Sequence, residues 1–223
     1  FPLAPRFTPY LGHDLLTILK YIGKTNEIFT RLLVNCALGA SESTAEGRLK
    51  LLDPLCGRGT TLFAGLNIGC DVYGIEIEKK DAEAGLSYFL RYLREKRVKH
   101  EVFEQRLGAD GRKLGSRTAV TLAKTKEEFK EKPLVFDYIS GDATACLKLY
   151  KRAFFDAVST DLPYGVAHRA ADPTESVKSR NPIVLVEKLL PELSRIMKPG
   201  GAVAFAYNSR LTKRSELEAL CFG

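Results

Sequence analysis

Two short runs carry residue types that could do chemistry together. The first, Asp161-Leu162-Pro163-Tyr164-Gly165, sets a carboxylate, a backbone carbonyl and an aromatic ring within five residues. An exocyclic amine on a nucleobase is a poor nucleophile, because its lone pair is conjugated into the ring. Two acceptors aimed at its hydrogens hold it in place and favour a pyramidal nitrogen. Asp161 and the Leu162 carbonyl supply those acceptors. Pro163 locks the turn and biases Leu162 to extended geometry. Tyr164 offers a face for stacking a flipped base, and Gly165 lets the chain turn away. The plain alternative is a strand-to-loop turn with a core tyrosine.

The second run is Leu51–Glu78, LLDPLCGRGTTLFAGLNIGCDVYGIEIE. It reads as a strand over Lys50–Asp53, a tight loop over Pro54–Thr60, a helix over Thr61–Ile68 and a strand over Asp71–Ile77. Gly57 and Gly59 let the backbone approach a ligand, and the helix that follows presents free N–H groups. A dinucleotide site asks for GxGxxG and a phosphate loop for GK[ST], and neither is present. The turn opens on an acid, Asp53, which repels a pyrophosphate and suits a cation. S-adenosylmethionine has a sulfonium, a free amino group and a ribose diol, and no phosphate. Asp53 suits its amino end, Glu76 its ribose hydroxyls and Asp142 the adenine amine. The competing reading of each acid is a helix cap or a surface charge.

These residues need elements to position them. From residue 50 onward, apolar strands alternate with helices, which predicts a mostly parallel sheet with helices on both faces. Further strands are expected over Leu134–Ile139, Phe154–Thr160 and Ala202–Tyr207. Helices are expected over Lys79–Lys99, Leu147–Arg152, Pro182–Met197 and from Thr212 to Leu220. Asp53–Gly59, Glu76, Asp142 and Asp161–Gly165 then all fall at carboxyl ends of strands, where open α/β sheets bind ligands. Before the sheet, Phe1–Tyr10 reads as an extended, docked arm. His13–Leu38 reads as two short helices meeting near Gly23 and Asn26, with Ile28, Leu32, Leu33 and Cys36 as the inner side of the second. Val166–Arg180 reads as a polar loop.

The 223 residues, 45% hydrophobic and 27% charged, suit one soluble domain with a real core. No apolar run reaches the roughly 18 residues of a membrane span, and no signal peptide is visible. Five cysteines without a CxxC pair suit thiols in a reducing, cytoplasmic setting, and no metal site is expected. The net charge is +7, and residues 91–132 hold 13 Lys or Arg against 7 Asp or Glu, so nearly all the excess lies there. Such a segment is either a face for a polyanion or a solvated surface. It is expected to be an insertion, a hairpin plus a short helix.

DPLCGRGT resembles the DPFCGSGT-type motif of the S-adenosylmethionine-dependent amino-methyltransferases, and DLPYG resembles their (D/N)PPY motif. The order, with the Arg6-Phe7-Thr8-Pro9 arm before both, resembles the RNA methylase family that includes the THUMP-associated tRNA guanine-N2 methyltransferases. The likeness runs from about Pro2 to Asn208. It implies a class I, Rossmann-like fold. It implies a donor site made of Phe7, Thr8, Asp53, Pro54, Cys56, Gly57, Gly59, Thr60, Glu76, Ile77, Asp142, Ala143 and Asp161. The catalytic turn is then Asp161, Leu162, Pro163 and Tyr164. Residues 1–48 are expected to form an arm and helices packed on that site, and 49–223 the methyltransferase domain, with the basic insertion at 94–132.

Three departures accompany the likeness. Glu76 stands where Asp is usual. The basic segment is longer than the usual connection. No THUMP-like RNA-binding domain is present in these residues, so either it lies outside them or another element binds the RNA, with Arg91–Lys132 as the candidate. The chain starts at Phe1 and stops before the final antiparallel strands of such a fold, so further sequence is expected. The leading expectation is methylation of a nucleobase amine in RNA, guanosine N2 of tRNA first. The rivals are a DNA adenine-N6 or cytosine-N4 methyltransferase and a non-catalytic donor- or RNA-binding subunit. Protein glutamine methyltransferases lead the same turn with Asn.

Overall fold

A computed structural model describes residues 8–21, 23–42, 47–109, 111–163, 182–210 and 212–222. Seven strands form one sheet: β1 (Lys50–Asp53), β2 (Asp71–Glu76), β3 (Lys99–Ala109), β4 (Arg112–Ala123), β5 (Leu134–Gly141), β6 (Phe155–Asp161) and β7 (Met197–Ala206). Their order is β3-β4-β5-β2-β1-β6-β7. β5, β2, β1, β6 and β7 run parallel, and β3 and β4 are antiparallel. The chain runs from β1 outward through β2 to β5, then crosses back to β6 on the other side of β1. The switch point of the sheet therefore lies between β1 and β6, where such folds open a crevice.

One face of the sheet carries α1 (Asp14–Thr17), α2 (Glu27–Ala40), α3 (Thr60–Asn67) and α4 (Lys79–Glu95). Leu15, Leu16, Val34, Ala37, Phe63, Phe89 and Leu93 pack there against Leu51, Val72 and Phe136. The other face carries α6 (Ala143–Cys146) with the 3₁₀ turn Leu147–Leu149, and α7 (Pro182–Ile196). Leu189, Leu193 and Ile196 meet Leu52, Ile75, Ile139 and Val158 there. α8 (Arg214–Phe222) follows β7, and α5 (Lys126–Glu131) joins β4 to β5. With both faces covered, β1 and β6 are buried almost throughout, as central parallel strands are.

The basic segment folds as the expected hairpin and short helix. β4 pairs with β5 from Gly115↔Gly141 to Leu122↔Leu134, and β3 pairs outside it. The hairpin moves β5 into the sheet interior and buries Asp137 to 1% exposure. An unpaired carboxylate there would be costly. Arg117 of the inserted β4 meets it, with Nε at 3.0 and 2.7 Å from the two carboxylate oxygens.

Several boundaries differ from expectation. α4 ends at Glu95, with Lys99 already in β3. The helix expected at Leu147 begins at Ala143, because Asp142 caps it. β7 begins at Met197, which pairs with Phe155, and Lys198 beside it reaches the buried carboxylate of Asp156 at 2.7 Å. In α2 the inner side is Thr30, Val34 and Ala37. Ile28 and Leu32 stand 78% and 59% exposed, and Cys36 is exposed too. Small residues win the inner face because α2 lies close against β6, β7 and α3. The loop expected over Val166–Arg180 lies outside the described residues.

Candidate active site

The glycine turn is built from beneath. Phe63, Phe89, Phe136 and Tyr138 form a stack, with Phe89 and Phe136 centroids 4.2 Å apart. Tyr138 ends that stack and donates its hydroxyl to the Gly57 carbonyl. From the side, Cys56 N donates to Ile75 O at 2.9 Å, and Gly59 N to Cys56 O at 2.8 Å. Gly59 has φ 92° and serves as N-cap of α3, a conformation that a side chain would strain. α4 comes so close that a Cβ on Gly85 would lie 2.7 Å from the Arg58 carbonyl. Cys56 is among the residues expected at the donor; its thiol is buried, a Cβ on Gly74 would lie 2.7 Å from its sulfur, and its backbone bonds to Ile75 and, within the turn, to Gly59.

A buried acid, Asp53, and a half-buried one, Glu76, flank the turn. Asp53, 2% exposed, accepts from Leu55 N at 3.0 Å and from the Thr160 hydroxyl at 2.7 Å. Burial pushes its pKa up to about 6, against the hydrogen bonds that favour its charge. Glu76 accepts from Gly57 N at 2.8 Å and Glu78 N at 2.6 Å. Burial lifts its pKa to about 6 as well. Ile77, just beyond β2, is exposed, and Pro54 and Thr60 are buried. Asp142 is exposed and acts as the N-cap of α6, taking Thr144 N at 2.8 Å and Thr144 Oγ1 at 2.7 Å. Ala143 behind it is buried.

Across the switch point, β6 ends at Asp161. Thr160, its neighbour, reaches the Asp53 carboxylate, so the two strand ends are joined by a hydrogen bond. Leu162 is buried among Val186 and Leu217, and its N–H donates to Ala206 O at 2.9 Å. That contact fixes the backbone that carries the Leu162 carbonyl. Pro163 is half-buried. Tyr164 and Phe7 lie outside the described residues.

Thr8 is not brought to the turn. Tyr10 N donates to Asn67 O at 2.8 Å, and Leu11 N to Asn67 Oδ1 at 2.9 Å, at the far end of α3. The segment between α1 and α2 reaches the turn. Its Tyr21 ring lies 4.4 Å from the Arg58 guanidinium, and its hydroxyl is 3.4 Å from Thr60 Oγ1. Arg58 also pairs with Asp81 at 2.7 Å. Further along, Thr25 Oγ1 donates to Asp161 Oδ2 at 2.9 Å. Sequence reasoning missed Tyr21, Thr25, Tyr138 and Thr160. A glycine inside a helix, Gly85, was the one legible sign of close approach to the turn.

The hairpin divides the basic segment between two edges. Because β4 is antiparallel to β5, the turn between β3 and β4 lies at the carboxyl edge, beside Gly141 and Asp142. Leu107 and Leu114 anchor it on Ala143 and Cys146, and Arg106 and Lys113 are exposed there. Lys99, Lys124, Lys126 and Lys130 are exposed at the opposite edge.

A family model described as UPF0020, RMKL-like, methyltransferase domain, matches residues 33–220. The chain belongs to this family. Its fold is the class I, Rossmann-like fold of S-adenosylmethionine-dependent methyltransferases. No curated protein matches the methyltransferase domain by sequence. Among solved structures, it is similar to a SAM-dependent methyltransferase from Agrobacterium tumefaciens, with 14% identity over 91% of this chain and 51% of that one, TM-score 0.49. One from Archaeoglobus fulgidus gives 15% identity over 80% and 51%, TM-score 0.38. Geranyl diphosphate C-methyltransferase from Streptomyces coelicolor A3(2), solved with S-adenosyl-L-homocysteine, gives 14% over 97% and 66%, TM-score 0.41. The chain spans about half the length of the first two.

The residues present fit S-adenosylmethionine. The carboxylates of buried Asp53 and half-buried Glu76 at adjacent strand ends, with no basic side chain between them in the turn except the paired Arg58, suit a cation and a diol and repel a phosphate.

Proposed function

We propose that this domain transfers a methyl group from S-adenosylmethionine to an exocyclic amine of a nucleobase in RNA, with N2 of guanosine in tRNA as the first candidate. The observation that carries the reading is the junction of Asp53 and Asp161 across the switch point, through Thr160. A donor turn and an amine-holding turn stand at neighbouring strand ends. Bound at Asp53, Glu76 and the glycine turn, S-adenosylmethionine supplies an electrophilic methyl. The Asp161 carboxylate and the Leu162 carbonyl accept the amine hydrogens and aim the nitrogen. Tyr164 stacks the base. Proximity and orientation account for most of the rate, on the order of 7–11 kcal/mol where alignment is good.

The nucleic-acid part rests on charge. Arg106 and Lys113 stand exposed on the edge that carries Asp161, which suits phosphates leading to the turn. Residues 1–48 serve as arm and helices against the donor site, and 49–223 as the methyltransferase domain. The five free cysteines go with a cytoplasmic setting.

Asp161→Ala tests the reading. Methyl transfer to RNA should be abolished while S-adenosylmethionine still binds by calorimetry. Near-normal transfer by this variant would refute the role of Asp161. Radiolabelled transfer to total tRNA against DNA separates the two polymers. Donor binding without any product would point to a non-catalytic subunit.

A further inference from the structure

Thr25 sits in the segment that crosses from the glycine turn to the catalytic turn, 136 residues before Asp161 in the chain. Its hydroxyl donates to one carboxylate oxygen of Asp161 at 2.9 Å. We infer that Thr25 is a positioning residue, fixing the Asp161 carboxylate in the orientation that receives the amine. The inference rests on the reading that Asp161 holds that amine.

The donor is held from several sides. Lys24, beside it, bonds to the Leu16 carbonyl and to Glu27 Oε1. Asn26 Oδ1 caps α2 through Ile28 N at 2.9 Å and Phe29 N at 3.1 Å. α2 in turn buries Thr30, Val34 and Ala37. Tyr21 pins the start of the segment on Arg58 and Thr60. Thr25 therefore offers its hydroxyl from a fixed point.

The χ2 preference of an aspartate is broad, so its carboxylate takes its orientation from the groups that bond to it. Holding an amine for attack needs its acceptors within about 0.5 Å and 10–20°. A charge-assisted bond from a fixed hydroxyl supplies that restraint. A carboxylate accepts about four hydrogen bonds, so the bond from Thr25 does not by itself exclude the amine. The competing account is that this bond merely ties the segment to the sheet. Lys24, Asn26 and Tyr21 already do that, so loss of one hydroxyl should barely affect folding.

Thr25→Val keeps the shape and removes the donor, and Thr25→Ser keeps the donor. Two measurements apply to both: turnover on transcribed tRNA, and the carboxyl resonance of Asp161 with ¹³C-labelled aspartate, assigned through Asp161→Asn. The valine variant should lose about 10- to 100-fold in kcat, with KM for donor and tRNA within about twofold. The serine variant should stay within about twofold of wild type. The Asp161 resonance should move in the valine variant and not in the serine variant. A valine variant with wild-type kcat, a serine variant as slow as valine, or an unmoved resonance would each overturn the positioning role. Failure of the underlying reading looks different. The wild-type protein would then methylate no nucleic acid although the resonance still moved, and the role of Thr25 would fall with that of Asp161.

Discussion

The Glu76 carboxylate reaches back across the glycine turn and takes the Gly57 N–H at 2.8 Å. One acid thus shapes the loop and, in the proposed function, faces the ribose.

Glu76→Ala should therefore show two defects. An unsatisfied Gly57 N–H should cost about 1–3 kcal/mol of stability, read by urea denaturation. Loss of the acceptor should weaken donor binding by about 10- to 100-fold in calorimetry. A stability loss with unchanged donor affinity would leave Glu76 as a loop brace only.

Acid should loosen the donor and tighten the empty fold. Asp53 and Glu76 both have pKa values raised to about 6, from ordinary values of 3.8 and 4.5, by burial. A raised carboxyl contributes stability that is fully present below its unfolded pKa and lost as pH rises through the folded one. Donor-free protein should thus gain stability between pH 7 and about 4.5 from these groups, seen in thermal melts. Donor binding needs the charged forms, so affinity should fall as pH drops through about 6. A donor affinity flat from pH 7.5 to 5 would refute the assignment of these acids.

Gly85→Ala should push α4 off the turn. The new methyl would meet the Arg58 carbonyl, a backbone atom that cannot swing aside. The expected cost is about 1–3 kcal/mol, with weaker donor binding. Gly39→Ala in α2, where open space surrounds the position, is the control and should be neutral or stabilising by a few tenths to about 1 kcal/mol.

The two edges of the hairpin should differ in RNA affinity. Arg106→Glu with Lys113→Glu, on the carboxyl edge, should weaken tRNA binding about tenfold or more and flatten its salt dependence. Lys126→Glu with Lys130→Glu, on the other edge, should change it less than about twofold. Electrophoretic mobility shifts at two salt concentrations distinguish the outcomes, and equal losses would place the RNA elsewhere.

The sheet and its ligand edge were legible because both follow from local pattern. Runs such as Leu134–Ile139, bounded by turn residues, read as strands, and an acid at a strand's end needs no tertiary knowledge. The packing of α2 was not legible. Ile28 and Leu32 have the spacing of an inner face, but the fit against β6 favours Thr30, Val34 and Ala37, which composition does not announce. The anchoring of Tyr10 and Leu11 was not legible for a related reason. Asn67, buried at the end of α3, captures Tyr10 and Leu11 by hydrogen bonds that no local spacing reveals. Thr25 is invisible in sequence, because its importance depends wholly on where Asp161 comes to lie.

The pair of Asp137 and Arg117 carries a constraint on how this chain can change. The hairpin supplies the partner that the buried Asp137 needs. A variant that kept the hairpin and lost only the guanidinium would strand a charge in the sheet. The inserted strand and the central sheet are thus bound to change together at this one pair.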